Sequence, residues 1–290
     1  MDLDYHFGEK IVITPKNYPL TLKHEKTQNN HYAIIGMAAV QKNYPLYADA
    51  MNERGLCISA LNFPGNAYYN PKPTNDKLNL TSYEIIPYIM SKCASVSEAR
   101  SALDKIQIVN TPFDENTGAS PLHWHIADNE SSVTVESTKN GLKIYDNPVG
   151  ILTNNPEFPS HLQNLSNYEH LKPASPTESA YSLGLSTYGL PGDFSSPSRF
   201  VRLAFLKKYM DNNLDESTAL ATAFQVMSSV SVVKGTVLTK EQKPHYTIYT
   251  CVMSATNGIY RYTTHKSTEI KSVNLNKYNL FSDTLYSLEL

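Results

Sequence analysis

Short apolar runs that stop at turn-forming residues dominate the start of the chain. Residues 11–14 read Ile-Val-Ile-Thr and end at Pro15, and residues 56–63 end at Pro64-Gly65. Such runs favour strands, because β-branched side chains pack well on a sheet and proline cannot donate to the ladder. Asn140-Gly141 is typical of a two-residue hairpin turn. Further strands are predicted at residues 32–37, 122–127, 132–136, 142–145, 149–153, 246–254, 258–263 and 270–273.

Helical segments lie between these strands. A Ser or Thr followed three residues later by Glu or Gln marks a helix start, because each side chain can satisfy an amide of the first turn. Ser196-Pro197 predicts a further start, with serine as the N-cap, and residues 214–230 predict another helix. The Ser/Thr–Glu/Gln pairs are Thr81 with Glu84, Ser95 with Glu98, and Ser160 with Gln163.

The elements follow the order strands, helices, strands, helices, strands. A doubly wound fold would alternate single strands with single helices, so this order predicts an α+β fold with sheets between helix layers. The sequence shows no repeat, no low-complexity tract and no clear linker. Residues 1–290 are therefore predicted to form a single domain.

Composition and charge exclude several classes of protein. The 25 lysines and arginines against 27 aspartates and glutamates give a net charge of −2, which excludes a general nucleic-acid binder. No apolar run approaches the roughly 20 residues of a membrane helix, and the N-terminus does not look like a signal peptide. Cys57, Cys93 and Cys251 have neither disulfide nor zinc spacing and are predicted core residues. These features predict a cytoplasmic protein.

Two histidines share one face of a predicted strand, at His123 and His125. A catalytic metal site needs a third protein ligand, and the sequence places none beside them. The favoured interpretation is a pair of core residues, and a metal-dependent amidase is kept as the alternative.

Four segments carry polar residues where packing does not require them. Asp2 lies directly before a strand, Asn62 and Asn154 each end one, and Arg199 lies in the first turn of a helix. The helix dipole disfavours a cation at that position, so an arginine there needs a carboxylate or a ligand nearby. Two amides, an aspartate and an arginine would suit a site that binds a carbonyl and a carboxylate.

Together these segments resemble the choloylglycine hydrolase family of bile salt hydrolases and penicillin V acylases. The resemblance covers nearly the whole chain, in matching order and spacing. The segments that carry it are ITPKNYPL (13–20), NYPLYADAMNERGL (43–56), LNFPGNAYY (61–69), DNPVGILTNNPEF (146–158), LPGDFSSPSRFVR (190–202) and YTIYT (246–250).

The resemblance implies a fold of the N-terminal nucleophile hydrolase type, an αββα sandwich of two antiparallel sheets between helix layers. Family members use an N-terminal cysteine thiol as the nucleophile and its own α-amine as the base. By the same resemblance, Asp2 would hold that amine, Asn62 and Asn154 would surround the oxyanion, and Arg199 would stabilise the nucleophile's site. No cofactor is implied.

The sequence departs from the family pattern at its beginning. Met1 stands immediately before the matching Asp2, where family members have two earlier strands that begin with the cysteine. Removing Met1 would expose Asp2, so none of the three cysteines can become the N-terminal residue. The resemblance therefore predicts a truncated member that is inactive as it stands, and a non-catalytic remnant is an alternative.

Individual segments of the chain resemble one or the other group within the family, and this resemblance indicates the substrate class. Asn62 and residues 61–69 resemble the bile-salt-active group, whereas residues 234–250 look more like the penicillin V acylases, which remain the alternative. The small-molecule substrate would be a conjugated bile acid or penicillin V. The resemblance also implies a homotetramer, with residues 181–192 contributing to assembly. It implies an apolar substrate pocket lined by Met1, Ala48, Phe113, Thr117 and Leu122.

Overall fold

Strands and helices both contribute to the structure, a computed structural model that describes residues 1–173 and 184–290. Its α-helices are α1 (Ile85–Lys92), α2 (Val96–Leu103), α3 (Phe158–Ser166), α4 (Ser196–Tyr209) and α5 (Glu216–Ser228). Its strands are β1 (Asp2–Leu3), β2 (Lys10–Thr14), β3 (Ile34–Gln41), β4 (Tyr44–Asn52), β5 (Cys57–Asn62), β6 (Leu78–Leu80), β7 (Ile106–Ile108), β8 (Leu122–Ala127), β9 (Ser132–Thr138), β10 (Gly141–Asp146), β11 (Tyr246–Thr247), β12 (Tyr249–Ser254), β13 (Ile259–Thr264), β14 (Ser267–Asn274) and β15 (Tyr286–Leu288).

The chain divides into two compact units. The larger unit contains residues 5–150 and 251–290, and the smaller unit contains residues 1–4 and 151–250. Residues 181–183 of the predicted assembly loop lie outside the described residues, and the rest of that loop includes a short 3-10 helix at Leu185–Thr187.

An eight-stranded antiparallel sheet forms the larger unit's core, in the order β10-β9-β8-β5-β4-β3-β2-β15. The apolar faces of α1 and α2 belong to the same buried cluster as the sheet, with Ile89 and Leu103 fully withdrawn from water. Trp124, in the interior strand β8, is also fully buried. Burial of each such side chain contributes about 1.5–3 kcal/mol relative to its exposure, which makes this cluster the main stabilising feature of the unit.

The β3–β4 hairpin contains a bulge that the sequence pattern did not reveal. Met37 pairs with Asp49 but Ala38 pairs with Tyr47, so Ala48 is an extra residue on β4. Strand β4 was missed altogether, because Pro45 and Asp49 interrupt its apolar pattern.

Several predicted boundaries need correction. Residues 149–153 form no strand, because Gly150 has a φ of 67° and donates its amide to the Asn147 side chain at 2.7 Å, which makes a turn. Ser160 lies inside α3, which begins at Phe158 with a proline in its first turn. Ser195, not Ser196, caps α4, since it accepts the amide of Ser198.

Other local predictions are confirmed. Thr81 and Glu84 mark a helix start as predicted, since the Glu84 carboxylate accepts the Thr81 amide at 2.8 Å, although they open a short 3-10 turn (Ser82–Glu84) that leads into α1. Ser95 caps α2 by accepting the amide of Glu98. The predicted hairpin is present one residue earlier, since Thr138 pairs with Gly141 and the two loop residues are Lys139 and Asn140. Gly141, with a φ of 92°, begins β10.

Gly36 is required by the close approach of β3 and β4. A Cβ atom on Gly36 would lie 2.0 Å from the carbonyl oxygen of Asp49, next to the bulge. The obstructing atom belongs to the backbone, so a larger residue cannot be accommodated by rotating a side chain.

We expect Gly36→Ala to lower the free energy of unfolding by about 3 kcal/mol or more, because overpacking against backbone forces the strands apart. Urea denaturation monitored by circular dichroism measures the change. Gly118→Ala is the matched control, since a Cβ there meets no atom within 4 Å. Equal stabilities for the two variants would contradict the close approach.

Candidate active site

Arg199 brings together two of the other polar residues that the sequence singled out. Its Nη2 donates to Oδ1 of Asn154 at 2.8 Å, and its Nη1 lies 3.9 Å from Oδ2 of Asp2. These three residues come from β1, the segment before α3, and the first turns of α4, all in the smaller unit. Residues that are distant in sequence thus form one charged and hydrogen-bonded group.

Hydrogen bonds in the loop before α4 position the side chain of Arg199. Asp193 accepts hydrogen bonds from the Ser195 amide at 2.8 Å and from the Ser198 hydroxyl at 2.6 Å. Hydrogen bonds from these two serines lower the pKa of Asp193 to about 2. The Nε of Arg199 donates to the carbonyl of Phe194 at 3.1 Å, which leaves the Nη end of the guanidinium for Asn154 and Asp2.

The guanidinium of Arg199 is largely withdrawn from water. Its side chain is 15% exposed and that of Asp2 is 18% exposed. Burial lowers the pKa of Arg199 below its ordinary value, the carboxylate of Asp2 opposes that effect, and the cation of Arg202 adds to it. An arginine side chain remains protonated in proteins, so the site presents a fixed positive charge.

Hydrogen bonds hold both the backbone and the side chain of Asn154 in place. Nε2 of His161 donates to the Asn154 carbonyl at 2.8 Å, and the His161 ring stacks on Phe200 at 4.8 Å between centroids. The preceding Thr153 hydroxyl donates to the carbonyl of Ser196 at 3.0 Å. Because Oδ1 of Asn154 accepts from Arg199, its NH₂ group is oriented away from the guanidinium as a donor.

A short strand pair presents Asp2 to this group. β1 pairs with β11, with Asp2 opposite Thr247. The nitrogen of Met1 donates to Tyr249 O at 2.8 Å, and the Ile248 amide donates to Met1 O at 2.9 Å.

Asn62 lies in the larger unit, as the exposed last residue of β5, opposite Leu122 of β8.

The residue after Asn62, Phe63, is fully buried and stacks flat on His123 at 4.2 Å between ring centroids. Nδ1 of His123 lies 3.2 Å from a carboxylate oxygen of Glu136, and both side chains are fully buried. Within residues 1–173 and 184–290, no group of three or more His, Cys, Asp or Glu side chains is arranged to hold a metal ion.

The remaining predicted pocket residues of the larger unit are all partly exposed. Ala48 is the bulge residue of β4. Phe113 donates its amide to the Thr117 carbonyl at 2.8 Å and packs its ring against Tyr83 at 5.4 Å between centroids. The Leu122 amide donates to the Tyr69 hydroxyl oxygen at 2.7 Å.

The three thiols are poor nucleophiles. Burial raises the pKa of Cys57 to about 12 and that of Cys93 to about 11. Burial also raises the pKa of Cys251 well above its ordinary value, and the nearby Asp49 carboxylate adds to that effect. Since the thiolate is the reactive form, these environments disfavour attack on a carbonyl.

The sequence analysis missed a buried polar contact of the larger unit. The hydroxyl of Tyr260 donates to Oδ1 of Asp49 at 2.6 Å, with Asp49 only 4% exposed. A charged residue inside the otherwise apolar segment 44–51 was the available signal, because a buried carboxylate requires a donor.

A known bile salt hydrolase resembles this chain over its whole length. It is 43% identical to a bile salt hydrolase/transferase of Lactiplantibacillus plantarum, with 100% of this chain and 91% of the relative covered. A penicillin V acylase of Pectobacterium atrosepticum is more distant, at 25% identity, with 64% of this chain and 50% of that protein covered.

A solved structure shares the fold. The crystal structure of an arginine-to-leucine variant of conjugated bile acid hydrolase from Clostridium perfringens superimposes with a TM-score of 0.93 at 34% identity. The match covers 100% of this chain and 92% of that chain. The α+β fold class predicted from the sequence, of the N-terminal nucleophile hydrolase type, is confirmed.

The family model of the linear amide C–N hydrolases, choloylglycine hydrolase family, matches residues 1–288. The chain is therefore a member of the choloylglycine hydrolase family of linear amide C–N hydrolases.

Proposed function

We propose that the protein is a bile salt hydrolase, which cleaves the amide bond between a bile acid and its glycine or taurine. The observation that carries this proposal is the Asp2–Arg199–Asn154 group, found in a chain 43% identical over its full length to a bile salt hydrolase/transferase. Penicillin V acylase activity is the second candidate, supported by residues 234–250 and by the more distant relative.

Each residue of the proposed site has a physical role. Arg199 supplies a fixed, poorly solvated positive charge that favours a thiolate nearby. Asn154 and Asn62 supply amide donors for the developing oxyanion. Asp2 holds the α-ammonium of the nucleophile's residue. Apolar contacts with the steroid come from Met1, Ala48, Phe113, Thr117 and Leu122.

The nucleophile in this proposal is an N-terminal cysteine, as the family resemblance implies. Its thiolate forms a bond to the amide carbonyl carbon, the C–N bond breaks, and the leaving amine takes a proton from the α-ammonium. The resulting thioester is then hydrolysed by water that gives a proton to the α-amine, which releases the bile acid and the thiol. A polypeptide without that cysteine cannot carry out this step.

The setting of the protein is also proposed from the family. Residues 1–290 act as one choloylglycine hydrolase domain, which the family match to residues 1–288 supports. The assembly is a homotetramer, and the cell compartment is the cytoplasm. No helix within the described parts of the chain is long and apolar enough to cross a bilayer.

Hydrolysis is tested with two versions of the protein. We expect the 290-residue chain to release no glycine from glycocholate, taurine from taurocholate or phenoxyacetate from penicillin V. The same chain preceded by a family-type segment that begins with cysteine, here named the cysteine-extended enzyme, should cleave the bile salts, because it supplies the thiolate. Released amine is quantified by mass spectrometry.

The pattern of substrates decides between the candidates. Faster turnover of penicillin V than of either bile salt would overturn the bile salt assignment. An extended enzyme that folds but cleaves none of the three substrates would identify a non-catalytic remnant. Full activity of the 290-residue chain would show that the nucleophile is not an N-terminal cysteine.

The internal thiols should resist alkylation in the folded protein. Because burial raises the pKa of Cys57 to about 12 and that of Cys93 to about 11, both thiols are neutral at pH 8. We expect iodoacetamide to label Cys57, Cys93 and Cys251 in urea but hardly at all in native buffer, as measured by peptide mass spectrometry. Rapid native labelling of any one of them would mark it as an alternative nucleophile.

We expect Arg199→Gln in the cysteine-extended enzyme to lower kcat/KM about 100-fold, because the thiolate loses a cation and the Asn154 amide loses its orienting donor. Arg199→Lys should recover only part of that loss, since an ammonium cannot reach both partners with a planar fork. Arg100→Gln, at an exposed ion pair with Asp146, is the matched control. Equal rates for Arg199→Gln and the control would remove Arg199 from the site.

A further inference from the structure

Thr247 contacts the proposed site but has no role in the mechanism given above. It is the register partner of Asp2 in the β1–β11 pair. Its Oγ1 lies 2.5 Å from Oδ1 of Asp2, which makes this the shortest polar contact described for the aspartate. Hydrogen bonds of this length from a hydroxyl to a carboxylate are among the strong, charge-assisted ones.

The direction of this hydrogen bond is fixed by counting donors. A threonine hydroxyl has one proton and can also accept. The backbone amide of Val232 donates to Oγ1 of Thr247 at 2.8 Å, and the carboxylate of Asp2 can only accept. The hydroxyl proton therefore points to Asp2. A second bond, from the Thr247 amide to the Val232 carbonyl at 3.1 Å, holds the same residue pair in place.

The Thr247–Asp2 hydrogen bond competes with a closer ion pair between Asp2 and Arg199. Arginine and carboxylate side chains favour a bidentate pair with nitrogen–oxygen distances near 2.8 Å. Here Nη1 of Arg199 remains 3.9 Å from Oδ2 of Asp2, beyond hydrogen-bond range. Thr247 binds the other carboxylate oxygen, Oδ1, so Asp2 is not drawn fully onto the guanidinium. A carboxylate held in this way can also accept from a second cation.

We infer that Thr247 is a positioning residue that acts through Asp2. This inference rests on the proposed function, in which that second cation is the α-ammonium of the nucleophile's residue. Without the hydroxyl, Asp2 would close onto Arg199, and both the ammonium and the thiolate would lose their compensating charges. Substrate contacts would be unaffected, so kcat should change and KM should not.

The test uses the cysteine-extended enzyme. Thr247→Val removes the hydroxyl but keeps the β-branched shape, and we expect kcat to fall roughly ten- to hundred-fold, the range for a lost hydrogen bond to a charged group. KM should stay within about two-fold, and Thr247→Ser should restore kcat to within about two-fold of the unmodified enzyme. Thr236→Val, whose hydroxyl donates only to the nearby Val233 carbonyl, is the matched control. Thermal melts accompany each variant.

A double-mutant cycle with Asp2→Asn separates positioning from a structural role. If Thr247 acts through Asp2, adding Thr247→Val to Asp2→Asn should cost no further kcat. Additive losses, or a loss in Thr247→Val that serine does not rescue, would overturn the inference. Thr247→Cys, of similar size but a weak donor, replaces valine in the cycle if the valine variant is insoluble.

A failure of the proposed function would give different results from a failure of the role inferred for Thr247. An extended enzyme that cleaves no bile salt, or an Asp2→Asn variant with unchanged kcat, would remove the role of Asp2 itself. An Asp2→Asn variant that loses activity beside a fully active Thr247→Val variant would remove only the role of Thr247.

Discussion

A guanidinium with little access to water must be compensated by nearby acceptors, and this requirement organises the smaller unit. Arg199 satisfies it with a carbonyl, an amide oxygen and a carboxylate, each from a different segment. Removing one partner of a poorly solvated charge costs more than the pair itself contributes, because the remaining charge is left uncompensated. The positions of Asp2 and Asn154 therefore depend on Arg199, and its position depends on them.

The larger unit also contains a charged group with little access to water, and a neutral hydroxyl stabilises it. Asp49 is nearly excluded from water, and its carboxylate accepts from the Tyr260 hydroxyl. The bulge at Ala48 and the missing side chain of Gly36 let β3 and β4 approach closely at this point. Backbone irregularity and a buried charge thus occur together, and the apolar cluster over α1 and α2 provides the stability that permits both.

Sequence reasoning predicted much of this fold, and its errors have definite causes. Strand β8 was predicted with the bounds it has, because its first apolar residues alternate with His123 and His125, as strand periodicity requires. Strand β4 was missed because a proline and a buried aspartate break its pattern, although long-range pairing on both edges holds it in the sheet. The start of α4 was misplaced by one residue, because adjacent serines offer the same capping chemistry and only the backbone geometry selects Ser195.

The candidate site was predictable only in part. Arg199 stood out because a cation is disfavoured in the first turn of a helix, whereas Asp2 and Asn154 gained their roles from the family resemblance. The structure brings these three residues together. The catalytic roles assigned to them, and to Asn62, stay predictions. Thr247 gave no such signal, since threonine is an ordinary strand residue and its opposition to Asp2 depends on a strand pairing 245 residues apart.

That pairing links local order to chemistry. β1 has only two residues, and an isolated pair of such length is not stable in water. Its main-chain bonds through Met1 are supplemented by the contacts that Asp2 makes with Thr247 and Arg199. The groups proposed to act on the substrate therefore also hold the strand that carries one of them. A change at any of these side chains alters the strand and the site together, so their contributions cannot be additive.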